Sequence, residues 1–305
     1  MLKFLLRRLI ASVVTVVGVV VIVFFLARLT GSPANLYLPE GASQERYDQF
    51  NAQYGFDLPL WEQFVKFLGG AARFDFGDSI WQQRPAMQAA LEAMPITLGL
   101  AAIALAVSLA LSIPLGAIAA KFKFRPLDRF ITMGSLTSAS IPDFWFALVG
   151  VLVLAIQFGI LPTSGSSSAA AWVLPVATLV LAPLGVITQV TRGAMIDALG
   201  SGYVQNARAR GFSSNRLVYR HALRNAALPI ITVAGDRAAG MVNGAIIVGT
   251  VFAFPGIGTL MVGAVLNRDF ALIQSSVFVV GIAVVLLNII VDLTYALADP
   301  RVRIS

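Results

Sequence analysis

Residues 96–129 read ITLGLAAIALAVSLALSIPLGAIAAKFKFRPLDR, and this stretch decides the class of fold. Ile96–Ala120 holds 25 residues without a charge, and Lys121, Lys123, Arg125 and Arg129 follow it directly. At about 1.5 Å per residue such a run crosses the roughly 30 Å hydrocarbon core of a bilayer. The cations at its end are the usual mark of a cytoplasmic loop. The rest of the chain has the same character: of 305 residues, 58% are hydrophobic and 12% charged, and mean hydropathy is +0.82. An average soluble protein carries roughly 25% charged residues. With so little charge to cover a surface, the chain reads as an all-α integral membrane protein.

Five further apolar runs make six transmembrane helices in all: Leu9–Leu29, about Ser138–Leu161, Trp172–Val190, Leu228–Phe254 and Ser275–Ala298 join Ile96–Ala120. Lys3, Arg7 and Arg8 precede the first run. Its core exceeds the roughly 7–15 residues of a signal peptide and no small-x-small cleavage site follows, so it is taken as an uncleaved anchor. Basic residues concentrate in alternate connections: the N-terminus, 121–129, 192–227 and the tail after Ala298 hold 15 of the 22 Lys and Arg, against Asp128, Asp197 and Asp299. The long connection 30–95 instead carries eight acids and four bases. This asymmetry places both termini in the cytoplasm. It also explains a net charge of +7 and a pI near 10.1 by membrane orientation, without nucleic acid as a partner.

The scarce residues exclude most chemistry. There is no cysteine and one histidine, His221, so neither a thiolate site nor an imidazole cluster for a metal is available, and no catalytic residue is assigned. None of the four lysines follows a glycine, which rules out a phosphate-cradling G-x-x-x-x-G-K-[ST] loop. If ATP drives this protein, another chain binds it. Residues 30–95 contain turn signals (Gly31-Ser32-Pro33, Leu58-Pro59, Gly69-Gly70) and aromatic amphipathic stretches, and a connection of that length is expected to form short helices. These serve either as a docking surface for a soluble partner or as a lid over helix ends.

The informative cytoplasmic segment is Gly202–Pro229, GYVQNARARGFSSNRLVYRHALRNAALP. Gly211 interrupts a helical pattern, and Ser213 or Ser214 is placed to cap a new helix. On that helix Arg216, Arg220 and Arg224 form a basic stripe beside an apolar one of Leu217, Val218 and Ala222. Such a surface helix touches anionic headgroups or enters a groove on a cytoplasmic partner; the spacing leaves both open. Charges inside the spans are the other candidates, because each costs roughly 2.5–3.5 kcal/mol at a helix centre. Asp236 and Arg237 lie about two turns into the fifth span and diverge by about 100° on a helix, which works against mutual neutralisation. They either line a translocation path or pair with another span. Asp292 in the sixth span reads as a structural charge, Asp143 beside Pro142 as the cap of a broken helix, and Gly240-x-x-x-Gly244 as a packing surface. Trp172 and Phe254 read as interfacial anchors.

The same segment resembles the conserved cytoplasmic loop of ABC-importer permeases of the dipeptide and oligopeptide group. Tyr203-Val204, Ala207-Arg208-Ala209-Arg210-Gly211, Arg220-His221-Ala222-Leu223-Arg224-Asn225-Ala226 and Pro229 carry the likeness. Phe254-Pro255-Gly256-Ile257-Gly258, Asn267-Arg268-Asp269-Phe270, Val291-Asp292 and Asp299-Pro300-Arg301 extend it downstream. Tyr54-Gly55-Phe56-Asp57, Phe76-Gly77-Asp78-Ser79, Pro95-Ile96-Thr97-Leu98 and Ser140-Ile141-Pro142-Asp143-Phe144-Trp145 extend it upstream, so it covers essentially the whole chain.

The resemblance implies a type I ABC importer permease fold in a bacterial inner membrane. It implies an anchor helix plus periplasmic segment over 1–93, a permease core over 94–298 and a cytoplasmic tail over 299–305. It also implies that Ala207, Arg208, Ala209, Arg210, Gly211, Phe212, Arg216, Arg220 and His221 couple to an ATPase. A second homologous permease, two ATP-binding subunits holding ATP and Mg, and a periplasmic substrate-binding protein would complete the assembly. The chain departs from the pattern at Gly202, Asn206 and Gly249, where an acid, a threonine and a glutamate are usual, and at Asp236-Arg237, usually uncharged. Peptides are the expected cargo, with nickel chelates, glutathione, opines or oligosaccharides as alternatives. A self-sufficient secondary transporter or channel is the rival class, and the absence of internal repeats argues against it.

Overall fold

The computed structural model describes residues 2–298; the tail 299–305, with Asp299-Pro300-Arg301, lies outside the described residues. α1 (Leu2–Leu29) is followed by three short helices, α2 (Ala34–Tyr37), α3 (Gln44–Tyr54) and α4 (Leu60–Ala71), and by an antiparallel pair of two-residue strands, β1 (Asp78–Ser79) and β2 (Arg84–Pro85). Then come α5 (Ala86–Lys121), α6 (Pro126–Ser140), α7 (Asp143–Gly150, continued as a π-helix over Val151–Gln157) and α8 (Ala169–Gly200). α9 (Gly202–Ala209), α10 (Ser214–Arg216), a π-helical turn Leu217–Ala222, α11 (Leu223–Val251), α12 (Ile257–Leu266) and α13 (Phe270–Ala298) complete the order.

Among the described residues five helices are long and apolar enough to cross a membrane: α1, α5, α8, α11 with its approach from Ser214, and α13. A sixth span exists if α6 and α7 count as one, and here the sequence reading needs correction. The third span is not a continuous helix from Ser138 to Leu161; its halves meet at an angle of 94°. Pro142 causes the break. It lacks an N–H and drives the residue before it out of the helical region, and Ile141 accordingly sits at φ −81°, ψ 123°. Asp143 does not cap the second half: it is the first residue of α7, its side chain makes no capping bond, and its Oδ1 has no hydrogen-bond partner among the described residues. The helices also outrun their apolar stretches. α5 begins at Ala86 rather than Ile96, its polar first turns held by a Gln88 Nε2 bond to Glu92 Oε1 at 2.8 Å and an Arg84–Glu92 ion pair. The short apolar helix α12 lies in the connection between the fifth and sixth apolar runs.

The chain divides into two compact units. One holds the residues through Ile96 together with Pro255–Val285. Its core gathers aromatic rings: Phe24, fully buried, lies 5.2 Å from Phe64 and 4.9 Å from Phe67 between ring centroids. Asp269, also fully buried, ties sequence-distant parts together. Its carboxylate accepts from Ser79 Oγ (2.5 Å), from Trp81 N (3.0 Å) and from Leu272 N (3.0 Å), so one side chain holds the hairpin and caps α13. Trp81 lies on Gly263, where a Cβ would come within 2.6 Å of Cζ3.

The second unit holds Thr97–Phe254 and the stretch from Leu286. Within it α8 pairs with α6 through successive rungs. Gly185 lies so close to α6 that a Cβ would sit 2.7 Å from that of Ala139. Gln189 Nε2 donates to Ser135 Oγ at 2.5 Å. Arg192 closes the ladder on Asp128 through Nε–Oδ1 at 2.5 Å and Nη2–Oδ2 at 2.8 Å. Gly116 of α5 meets α8 with equal closeness, a Cβ there falling 2.5 Å from Thr191 Cβ. Close approach was expected at Gly240-x-x-x-Gly244, yet only Gly244 is approached, by Leu179 Cδ2 at 3.0 Å from a built Cβ. Phe254 is not an interfacial anchor: it is 1% exposed and packs edge-on against Trp172 at 4.9 Å.

Candidate functional site

The segment 207–221 is a turn packed on the core of the second unit. α9 ends as a helix ends at glycine: Gly211 N donates to Arg208 O at 3.0 Å and Gly211 takes φ +82°. A side chain in that left-handed conformation costs about 1–2 kcal/mol. Nothing among the described residues lies within 4 Å of a Cβ built at Gly211, so glycine is required by the backbone and not by crowding. The chain then re-enters helix at Ser214. Ser213 is the N-cap residue, but its hydroxyl makes no capping bond, contrary to the sequence expectation; its carbonyl accepts from Leu217 N at 3.0 Å instead.

The underside of the turn is apolar and closed. Val204 (0% exposed), Ala207 (8%) and Leu217 (3%) form one small core with Leu199 and Phe212 packed against it. Val218, Ala222 and Ala226 join Ile187, Met195 and Ile230 in the larger core beneath. Lys121 Nζ at the end of α5 donates to Asn215 Oδ1 at 2.8 Å, pinning the far side. The outer side is cationic: Arg208, Arg210, Arg216, Arg220 and Arg224 are all exposed, as are Tyr203 and Tyr219. The Arg216 guanidinium stacks over Phe212 at 4.7 Å, and His221 lies 5.4 Å from the same ring. His221 Nε2 has no hydrogen-bond partner among the described residues. The π-helical turn and α11 follow without interruption, so the arginine-faced surface is the outer end of a helix that runs on into a span.

The structure thus brings Ala207, Arg208, Ala209, Arg210, Gly211, Phe212, Arg216, Arg220 and His221 together on one turn. Asp236 and Arg237 stand apart on α11. They were expected not to neutralise each other easily; Arg237 Nε lies 3.7 Å from Asp236 Oδ2, an ion-pair contact in which Nε makes no hydrogen bond among the described residues. Asp236 heads an exposed stripe with Gly240 and Asn243, unlike the exposed Ile282, Leu286 and Ile290 of α13. Asp292 is half-buried in α13. Sequence reading missed the Asp128–Arg192 lock. Its one signal was that Asp128 is the single acid in the basic connection 121–129.

Comparison with known proteins finds relatives along nearly the whole chain. Residues 112–304 match the family described as "Binding-protein-dependent transport system inner membrane component", and residues 1–101 match its N-terminal companion, "Binding-prot-dependent transport system membrane comp, N-term". The oligopeptide transport system permease protein AppB of Bacillus subtilis (strain 168) is 32% identical, over 99% of this chain and 100% of its own. The dipeptide transport system permease protein DppB of Escherichia coli (strain K12) is 31% identical over 99% of both chains. The oligopeptide transport system permease protein OppB of Haemophilus influenzae is 35% identical over 99% of this chain and 100% of its own. Among solved structures, an inward-facing MetNI methionine ABC transporter superposes with a TM-score of 0.57 at 18% identity, over 70% of this chain and 97% of that one. An amino acid ABC transporter crystallised with histidines gives 0.55 at 16%, over 68% and 94%. These two likenesses establish the shared type I importer permease fold. By sequence over its full length and by fold, the chain belongs to the binding-protein-dependent transport system inner membrane components, the permease subunits of ABC importers.

Proposed function

We propose that this chain forms half of the path of an ATP-driven importer of di- and oligopeptides, and that the turn 207–221 is where ATP-binding subunits push on it. One observation carries the reading: the turn is apolar and anchored beneath, exposed and cationic above, and continuous with α11. A surface so built transmits displacement instead of absorbing it, which an access switch driven by a partner requires. In this reading the arginine face and both termini are cytoplasmic, and the segment 30–95 faces a soluble peptide-binding protein on the other side. A second homologous permease and two ATPases complete the assembly, with ATP and Mg held by the ATPases. The relatives named for oligopeptide and dipeptide transport support the choice of cargo. The polar stripe through Asp236, Gly240 and Asn243, with Arg237 beside it, is the surface this reading turns toward the path, since facing lipid would be costly there.

Co-purification in mild detergent tests the reading. Because the space above Gly211 is open, Gly211→Arg projects a bulky side chain outward without an internal clash. Wild type is expected to bring down ATP-binding subunits and a second permease, and the variant to keep the permease while losing the ATPases. If both proteins retain the ATPases equally, the turn is not the docking surface.

A further inference from the structure

Within the first unit α4 (Leu60–Ala71) presents three faces in turn. At about 100° per residue, Gln63, Phe64 and Phe67 share one sector, Leu68, Trp61 and Val65 the next, and Glu62 and Lys66 the third. The first sector is packed: Phe64 and Phe67 lie 5.2 and 4.9 Å from Phe24 of α1 between ring centroids, and Gln63 Oε1 accepts from Arg28 Nε at 2.9 Å. The third is polar, and Lys66 borders a hollow that Arg28 and Asp75 also line. The second is apolar and outward, with Trp61 69% exposed and Val65 and Leu68 exposed beside it.

Where α4 sits along α1 decides what meets that flank. The apolar span of α1 ends at Leu29. The Phe64 ring lies 5.3 Å from that of Phe25, which is four residues before that end and so about 6 Å from it along the axis. Phe67 and Ala71 pack on a buried cluster that joins Phe76 to Val20 and Val16 of α1, and Val20 is about 14 Å from the same end. α4 and the chain after it therefore run beside the span and not above it. Phe25 belongs to the side of α1 that leaves Ile22, Leu26 and Leu29 exposed, the surface a membrane span gives to lipid. Trp61 and Leu68 stand one turn either side of Phe64, so the flank of α4 continues that surface.

We propose that Trp61, Val65 and Leu68 lie in lipid, at the boundary between headgroups and acyl chains of the leaflet that the end of α1 reaches. An amphipathic helix in that boundary buries its apolar side by roughly 5–10 Å, the depth at which Phe64 meets Phe25, and tryptophan is enriched there. A soluble protein would have to sink as far into the bilayer to cover the flank. Glu62 and Lys66, further around the helix, stay on the wet side, and the remainder of 30–95 is left for other contacts. The proposal concerns the first unit and rests on α1 spanning the membrane, not on the import reading.

Because the chain has no cysteine, a single nitroxide can be attached at Trp61→Cys, Val65→Cys, Leu68→Cys, Glu62→Cys or Lys66→Cys, with Ile22→Cys on α1 as the lipid-facing reference. All six positions are exposed, so the labels displace no core. The full chain, with the subunits that accompany it, is reconstituted into vesicles of phosphatidylcholine and phosphatidylglycerol. Collisions of the nitroxide with oxygen, which partitions into lipid, are then compared with those with water-soluble chromium oxalate. Oxygen is expected to dominate several-fold at the first three sites, as at the reference, and chromium oxalate at the other two. Without any label, Trp61→Phe should remove part of the tryptophan emission that brominated lipid chains quench. Dominance of chromium oxalate at the first three sites overturns the proposal, because the flank then faces water as a surface for a soluble partner does. Shielding from both reagents overturns it as well, by showing a second protein chain on the flank, and an unchanged quenched share in Trp61→Phe has the same force.

Discussion

Removing either partner of the Asp128–Arg192 lock should destabilise the second unit strongly, and by an amount the geometry bounds. Asp128 is 2% exposed and accepts four hydrogen bonds: two from Arg192, one from Phe124 N at 2.9 Å and one from Thr132 Oγ1 at 3.3 Å. Breaking a buried, hydrogen-bonded ion pair costs about 3–5 kcal/mol, because the remaining charge is left uncompensated. The Arg192 side chain keeps 22% exposure, so water reaches the orphaned guanidinium and the lower end of that range applies to Asp128→Asn, about 3 kcal/mol. Arg192→Met leaves a carboxylate only 3% exposed, still supported by Phe124 N and Thr132, and should cost about 3–4 kcal/mol. An Asp128→Asn/Arg192→Met double variant removes both charges at once. It should lose about 2 kcal/mol less than its two single variants together. The assay is reversible denaturant unfolding in detergent micelles, followed by tryptophan fluorescence. Single variants within about 0.5 kcal/mol of wild type, or a double variant that is simply additive, would refute the lock.

Other expectations follow from particular positions. Gly211→Ala should lose about 1–2 kcal/mol from backbone strain alone and melt earlier in a thermal scan, while Arg210→Ala, at an exposed position with φ −78°, should not share that loss. Gly185→Leu should abolish recovery of folded protein by size-exclusion chromatography, because α6 occupies the space its side chain needs, whereas Gly240→Leu should be recovered normally. Tyr37 donates its hydroxyl to Asn267 O at 3.0 Å, and burial first, then Asp269 and Tyr54, push its pKa up to about 12. The neutral phenol is favoured in the folded state, so its stabilising effect is complete below the ordinary tyrosine range and fades as pH rises from about 10 toward 12. In an ultraviolet titration the signal lost in Tyr37→Phe should be the last to ionise; loss of an early-ionising signal would contradict the burial argument.

The apolar runs and the basic connections were legible because both follow from one-dimensional facts. A helix must exceed the bilayer thickness, and Lys and Arg mark one side. Helix ends were less legible: α5 and α8 continue past the apolar limit through residues such as Gln88 and Glu92, which a hydropathy pattern cannot distinguish from loop. The break at Pro142 was half legible, since proline marks the site but nothing local sets the 94° bend. Gly211 was read correctly as an interruption because a left-handed residue leaves a local signature. The hubs were not visible. Asp269 gathers Ser79, Trp81 and Leu272, and Asp128 meets Arg192, across separations that no spacing rule connects. Gly116 and Gly185 looked like any other glycines until a neighbouring helix lay against them.

The most direct test of the coupling claim uses the absence of cysteine from the chain. A single thiol placed at exposed Arg210 and, separately, at exposed Glu40 allows short-range photo-crosslinking in the assembled transporter. The thiol of Arg210→Cys is expected to capture an ATP-binding subunit, with a yield that changes when nucleotide is added, while that of Glu40→Cys captures none. Capture of the ATPase from Glu40→Cys and not from Arg210→Cys would reverse the assigned sides and contradict the account.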